Sequence, residues 1–433
     1  CGTDLGLIRT RAVPAADGSY AITGTKIFIS AGDHDLTDNI IHLVLAKLPD
    51  APLGVKGISM FLVPKYLPEG GDLGTVADGK LGERNHFECS AIEHKMGLNG
   101  SATCVMNYDG ATGWLVGEPH RGLQAMFSMM NFERLMVGQQ GLSQAEKAYQ
   151  NAAAYAKERL QSRSLSGAKA PDQPADPIIV HPDVRRMLLT TRALNESARA
   201  LLTWISLQVD VSERDPDPKA RERAGDLVAL FTPVIKAYFT DYGSEACNNC
   251  LQVLGGHGYI REWGMEQLVR DARIAQIYEG ANGIHALDLV GRKLPLHDGR
   301  LINTYLDEVD RFIAENGDAP ELADFMPGVS QSQALLKQAT DWIRSHAARD
   351  PEETGAASYD YLRLMALGSM AYMWARMAKV AASRLDGDNT GYYRNKLLTG
   401  QFYMKRLMPQ TRALFDSLSA GADSLMAMDA EAF

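Results

Sequence analysis

In "IAQIYEGANGI", a single carboxylate, Glu279, follows the apolar residues Ile274, Ala275, Ile277 and Tyr278 and stands directly before Gly280. Ala281 and Asn282 then lead to Gly283. A charge among apolar neighbours is costly to bury. A partly desolvated carboxylate is what a general base near neutral pH requires, and small residues beside it let a ligand approach closely. From these residues alone two roles stay open: a proton-abstracting base, or a cap on the helix that follows. A second carboxylate, Glu133, stands next to Arg134 in "NFERLMV". Cys247 and Cys250 form a C-x-x-C in "SEACNNCLQVLGG". A zinc site takes two more ligands at comparable spacing, and none stands nearby, so the pair reads as two small residues on one helix face.

The elements that must position these groups fall into three regions. Residues 1–118 read as a β-domain: "SYAITGTKIFISAG" alternates around a "TG" turn, and "NIIHLVLAKL", "KGISMFLVPKYL" and "ATCVMNYDGATGWLVGE" are runs of strand length bounded by turn residues. Residues 119–297 change character. A long Ala-, Gln-, Glu- and Met-rich stretch ending at "KERL" reads as one helix, followed by a polar loop with prolines. A second helix starts at "HPDVRRML", with Asp183 in its first turn and an apolar stripe of Val184, Met187, Leu188, Leu194, Ala198, Leu201 and Ile205. A third carries Pro233, where a bend is expected, and stops at "GGHGY", where Gly255 or Gly256 can take the left-handed cap conformation. After "YEGANGI" a further helix is expected to align Ile284, Leu287, Val290 and Leu294 on one side. Long helices joined by loops point to an antiparallel bundle. Residues 298–433 are a further helical region whose Met365, Met370, Met373 and Met377 read as core packing.

Composition narrows the function classes. The 433 residues are 45% hydrophobic and 22% charged, with a formal net charge of −9. No apolar run is long enough to span a membrane, and no Lys/Arg block offers a large electrostatic footprint for nucleic acid. Five cysteines, few and odd in number, suit a reducing compartment, here the cytoplasm. "CGTDLG" at the start reads as the inside of a loop, so the chain is expected to be a fragment.

The ordered series "GTDLG", "KIFISAG", "ERLQSR", "QVLGGHGY" and "IYEGANGI" resembles the acyl-CoA dehydrogenase family over residues 1 to about 295. The resemblance implies an α+β multidomain fold: a β-barrel or sandwich-like domain, an antiparallel four-helix bundle and an additional C-terminal helical domain. It implies FAD as cofactor and α,β-dehydrogenation of an acyl-CoA thioester to the trans-2-enoyl-CoA. Glu279 matches the family's base for the α-proton, with the β-hydride passing to flavin N5. The base's own backbone N–H and a ribityl hydroxyl polarise the thioester carbonyl, which acidifies the α-carbon. Phe28 matches the aromatic residue against the flavin, Ser30 the hydroxyl near N5, and Thr3 the hydroxyl of the first motif. Arg159 matches the arginine that reaches the FAD pyrophosphate from a neighbouring subunit. Gln252, Gly255 and Gly256 match the stretch along the adenosine diphosphate, also across a subunit boundary. Arg134, Tyr278 and Gly280 fall at the substrate side.

The chain departs from the family pattern in places. Ala281 and Gly283 replace the usual Thr and Gln after the base, and Phe28 replaces a Trp. Glu133 sits where isovaleryl- and long-chain-type members carry their glutamate, which makes it the second candidate base; otherwise it is expected to pair with Arg134 or another arginine. "EHKMGLNGSATCVM" and the region after residue 300 are similar to a subgroup with a C-terminal helical extension. That subgroup includes 3-methylmercaptopropionyl-CoA dehydrogenases and broad-range bacterial enzymes. The family's N-terminal helical domain would precede Cys1, so this fragment alone is expected to retain FAD weakly.

Implied partners are an acyl-CoA substrate, an electron-transfer flavoprotein and further copies of the chain in a homodimer or homotetramer. Two alternatives remain: an acyl-CoA oxidase, and a DNA-associated flavoprotein of the same fold. The basic residues Arg376, Lys379, Arg384, Arg394, Lys396, Lys405 and Arg406 are mixed with acids and read as a solvated face, so no nucleic-acid partner is expected.

Overall fold

The protein is described from a computed structural model covering residues 2–71, 80–347 and 349–433; Cys1, on which the reading of the chain start rests, lies outside the described residues. The chain divides into two compact units, Cys1–Glu133 and Arg134–Phe433.

In the first unit the strands run β1 (Arg11–Pro14), β2 (Tyr20–Ser30), β3 (Ile41–Lys47), β4 (Ile58–Pro64), β5 (Tyr66–Pro68), β6 (Leu81–Arg84), β7 (Phe87–Ile92) and β8 (Thr103–Val116). The main sheet has the order β2-β1-β3-β4-β8-β7, and β2 also pairs with β8, so five strands close on themselves as a barrel with β7 beside β8. Closure removes the unpaired edges that an open sheet would present. The long β8 makes it possible: Tyr20 to Ser30 pair antiparallel along Gly113 to Thr103, while Met60 to Leu62 take Val116 to Trp114. Ala12, Ile22, Val44, Phe61, Val63 and Met106 fill the interior.

In the second unit, α1 (Gly122–Glu158) enters from the first, and α2 (Pro182–Arg214), α3 (Pro218–Val253), α4 (Met265–Arg273) and α5 (Asn282–Asp288) follow. The stripe expected on α2 is buried from Met187 to Ile205, with Val184 packed at the margin. Asp217 caps α3 by accepting from the Lys219 N–H, and α3 is continuous through Pro233. It stops before Gly255, whose φ is +58°, where a left-handed cap was expected. Backbone meets backbone between α1 and α3: a Cβ on Gly141 would lie 2.3 Å from the Phe239 carbonyl oxygen, and one on Gly243 2.6 Å from that of Gly141.

The C-terminal helices are α6 (Arg300–Asn316), α7 (Met326–Ala347), α8 (Pro351–Ala382), α9 (Tyr392–Phe402) and α10 (Gln410–Leu418). They share one hydrophobic core with α1, α2, α3 and α5; Met365, Met370 and Met373 belong to it, and Met377 packs against it.

One expectation is corrected. Ile284 and Leu287 are 46% and 41% exposed, whereas His285, Ala286, Leu289, Val290 and Leu294 are buried. A π-helical turn over Leu289–Lys293 supplies the reason. Its extra residue rotates the apolar face, so positions in one line before the turn do not continue in line after it.

Candidate functional site

Glu279 sits on a turn between α4 and α5 and is half-buried. Its φ is +54° and that of Gly280 is +92°. The left-handed region costs a residue with a Cβ about 1–2 kcal/mol, so the conformation must be imposed from outside. The imposing groups are buried and polar. Lys236 of α3, with no exposed surface, donates to the Gly280 carbonyl at 2.7 Å and to Asn282 Oδ1 at 2.8 Å. His285 Nε2 donates to the Glu279 carbonyl at 3.0 Å, which leaves Nδ1 as the bare nitrogen. Asn282 Nδ2 donates to Ala237 O, Thr240 Oγ1 and Asp241 Oδ1, and Tyr278 OH donates to Gln140 Oε1 on α1. The N-cap position of α5 is held by Ala281.

The electrostatics follow from burial. Burial pushes the Lys236 ammonium down to about 8, against the favourable charges of Asp241 and Glu279. Burial, with the charges of Lys236 and Arg134, pushes His285 down to about 4. Arg134 on α1 is lowered by its own burial, while Asp288 and Glu279 favour its charged form. Arg134, Tyr278, Glu279 and Gly280 therefore belong to one neighbourhood in the second unit. Glu133 is exposed.

In the first unit, Thr3 and Ser30 are exposed. Phe28 is 67% exposed. A bulge explains Phe28: Lys26 pairs with Met106 and Ile29 with Cys104, so two residues of β2 face one of β8. Phe28, with φ +61°, is the residue re-aimed by it.

Arg159 follows the end of α1, and Gln252 lies at the end of α3; both are exposed. The two helix ends are joined by Tyr155 OH and His257 Nδ1, 2.9 Å apart, and His257 stacks on Trp263 with ring centroids 4.8 Å apart. A Cβ on Gly255 or Gly256 would meet nothing within 4 Å, so this surface is open. The loop after Arg159 is organised by Asp176, which accepts from the N–H groups of Ser164, Lys169 and Ala170 and from Arg163.

Sequence reasoning missed Lys236, Asp241, Asn282 and His285. The one available signal was Lys236, a lone charge in the apolar run "TPVIKAYF".

Comparison with known proteins adds the following. A family model described as "Acyl-CoA dehydrogenase, C-terminal domain" matches residues 120–294, and one described as "Acetyl-CoA dehydrogenase C-terminal like" matches residues 305–429. The chain is 39% identical to 3-methylmercaptopropionyl-CoA dehydrogenase of Ruegeria pomeroyi, over 98% of this chain and 71% of that protein. It is 34% identical to a broad-specificity linear acyl-CoA dehydrogenase of Mycobacterium tuberculosis, over 100% of this chain and 72% of that protein. The solved structure of an acyl-CoA dehydrogenase from Bacillus anthracis, complexed with FAD, has the same fold. Its TM-score is 0.72 at 19% identity, covering 95% of this chain and 66% of that one. Among the described residues, no helix is long and apolar enough to cross a membrane.

Proposed function

The chain belongs to the acyl-CoA dehydrogenase family, FAD-dependent oxidoreductases of acyl-CoA thioesters, and on that premise we propose that Glu279 is the base for the α-proton. The observation that carries this reading is the imposed backbone of Glu279: a carboxylate held at φ +54° by buried donors to its own carbonyl and to that of Gly280. The α C–H bond breaks and its proton goes to the Glu279 carboxylate. Bound FAD would supply the acceptor for the β-hydrogen, which leaves with its electron pair as the double bond forms between the two carbons. Arg134 keeps a positive charge facing Glu279, and Lys236 and His285 fix the two carbonyls of the turn.

The residues suit a flavin dinucleotide. Phe28 offers an exposed aromatic face, and Ser30 and Thr3 exposed hydroxyls. Gly255 and Gly256 leave room for close approach, and Arg159 presents a guanidinium suited to a pyrophosphate. We read these as FAD contacts, with Arg159, Gln252, Gly255 and Gly256 acting across a boundary between copies of the chain. Tyr278 and Gly280 line the thioester end. The substrate is 3-methylmercaptopropionyl-CoA or a straight-chain acyl-CoA, and electrons leave to an electron-transfer flavoprotein.

The test is anaerobic reduction of the flavin in the holoenzyme, with a panel of acyl-CoAs including 3-methylmercaptopropionyl-CoA. Wild type bleaches, and Glu279→Gln keeps its FAD but stays yellow. Equal bleaching of both hands the role to Glu133. No bleaching with any thioester sinks the dehydrogenase reading. Hydrogen peroxide release in air would replace it with an oxidase.

A further inference from the structure

Asp241, on α3, receives three donors on its two carboxylate oxygens. Gln276 Nε2 and Asn282 Nδ2 both reach Oδ1, each at 2.7 Å, and Tyr359 OH donates to Oδ2. Gln276 lies before Glu279 in the chain and Asn282 after it, so one oxygen ties together both ends of the segment that carries the base. Tyr359 belongs to α8, in the C-terminal region to which the proposed chemistry assigns no other task. We propose that Asp241 and Tyr359 are positioning residues for the base, and that the C-terminal helices serve catalysis by holding the loop of Glu279 through them.

The physical argument starts from the strain at Glu279. A left-handed residue with a side chain persists only where its surroundings over-determine it. Lys236 and His285 hold the centre of the turn, but neither fixes where the loop leaves α4. Asp241 does, because Gln276 is pinned to the same oxygen as Asn282. Bonds to an ionised acceptor are stronger than those between neutral groups. The Tyr359 bond engages the second oxygen, which stops the carboxylate from turning and fixes the direction of the first. Proton abstraction depends steeply on the placement of the base. Loosening the clamp therefore lowers the rate of the chemical step more than the binding of substrate.

This inference rests on Glu279 being the base, and the experiment separates the two ideas. Tyr359→Phe in the holoenzyme is compared with a change on the same helix, Tyr372→Phe, which deletes a hydroxyl bond to Glu308 of α6. The limiting rate of anaerobic flavin reduction by acyl-CoA should fall about tenfold in Tyr359→Phe. The half-saturating acyl-CoA concentration should stay within about twofold, with FAD content unchanged. Tyr372→Phe should reduce at the wild-type rate. Amide hydrogen exchange over residues 276–282 should quicken in Tyr359→Phe alone. If Tyr359→Phe loses FAD or fails to fold, Asp241→Asn is read by the same measures. A wild-type rate in the variant so read, or equal slowing in Tyr372→Phe, overturns the positioning role. Glu279→Gln run alongside reports on the base itself: if it reduces flavin normally, the base assignment is wrong. If it is inactive while the positioning variant is normal, only the clamp falls.

Discussion

His285 gives the sharpest quantitative expectation. Only 3% of its surface is exposed. Burial, reinforced by the charges of Lys236 and Arg134, lowers its imidazole from 6.5 to about 4. The folded value lies below the unfolded one, so between the two the unfolded chain binds a proton that the folded chain refuses. Stability from this group is complete above 6.5 and is lost as the pH falls toward 4. At about 1.4 kcal/mol per pH unit, the whole window is worth about 3 kcal/mol, most of which is gone by about pH 4.5. The perturbation is His285→Gln, whose amide can still donate to the Glu279 carbonyl but does not titrate. Urea unfolding of both proteins is followed by circular dichroism at about pH 7.5 and about pH 4.5. Taking the difference between them at each pH cancels every other titrating group. The variant should gain about 2–3 kcal/mol on wild type across that interval. A difference that does not change with pH would mean that the folded imidazole titrates as a solvated one, and the buried neutral His285 would be refuted.

Gly280→Ala places a methyl group at φ +92° and 3.1 Å from His285 Nε2. It should cost about 1–2 kcal/mol, seen as a lower melting temperature, and should slow flavin reduction without loss of FAD. Asp176 is held down to about 2, first by the Ser164 N–H and then by those of Ala170 and Lys169. Its contribution is present above 3.8 and lost only as the pH falls through about 2. Asp176→Ala should therefore open the loop after Arg159 to trypsin at Arg163 and Lys169 at neutral pH, where wild type resists. Burial raises the thiols of Cys247 and Cys250 to about 12. Mass spectrometry should find both unlabelled by iodoacetamide in the native protein and labelled once it is unfolded.

The long helices were legible because their signals are local. The α2 stripe repeats at helical spacing, and the end of α3 is marked by glycines. The carboxylate of Glu279 also stood out locally, as a charge after apolar residues. What holds it did not. Asp241 meets Gln276, Asn282 and Tyr359 from distant parts of the chain, and no spacing rule connects them. Lys236 was visible only as an oddity whose partners, Gly280 and Asn282, lie 44 and 46 residues further along the chain. The bulge at Phe28 escaped because alternation in β2 does not say which residue is the extra one; only the pairing with β8 does. The π-turn at Leu289–Lys293 defeated the stripe through Ile284 and Leu287 for the same reason, since periodicity assumes a constant helix.

The glycine contact of α1 with α3 bears on how such an enzyme can diversify. At Gly138 the added carbon would lie 2.9 Å from the Ile235 carbonyl oxygen, and at Gly141 and Gly243 the three nearest atoms are all main chain. The spacing between the two helices at Gly141 and Gly243 is thus written in main chain, with no side-chain volume to trade there. Arg134 on one helix and Lys236 on the other inherit it in every descendant that keeps those glycines. Side-chain changes elsewhere on the two helices leave that spacing alone while the glycines stay. Specificity and alignment become separately heritable, the first carried by side chains and the second by their absence.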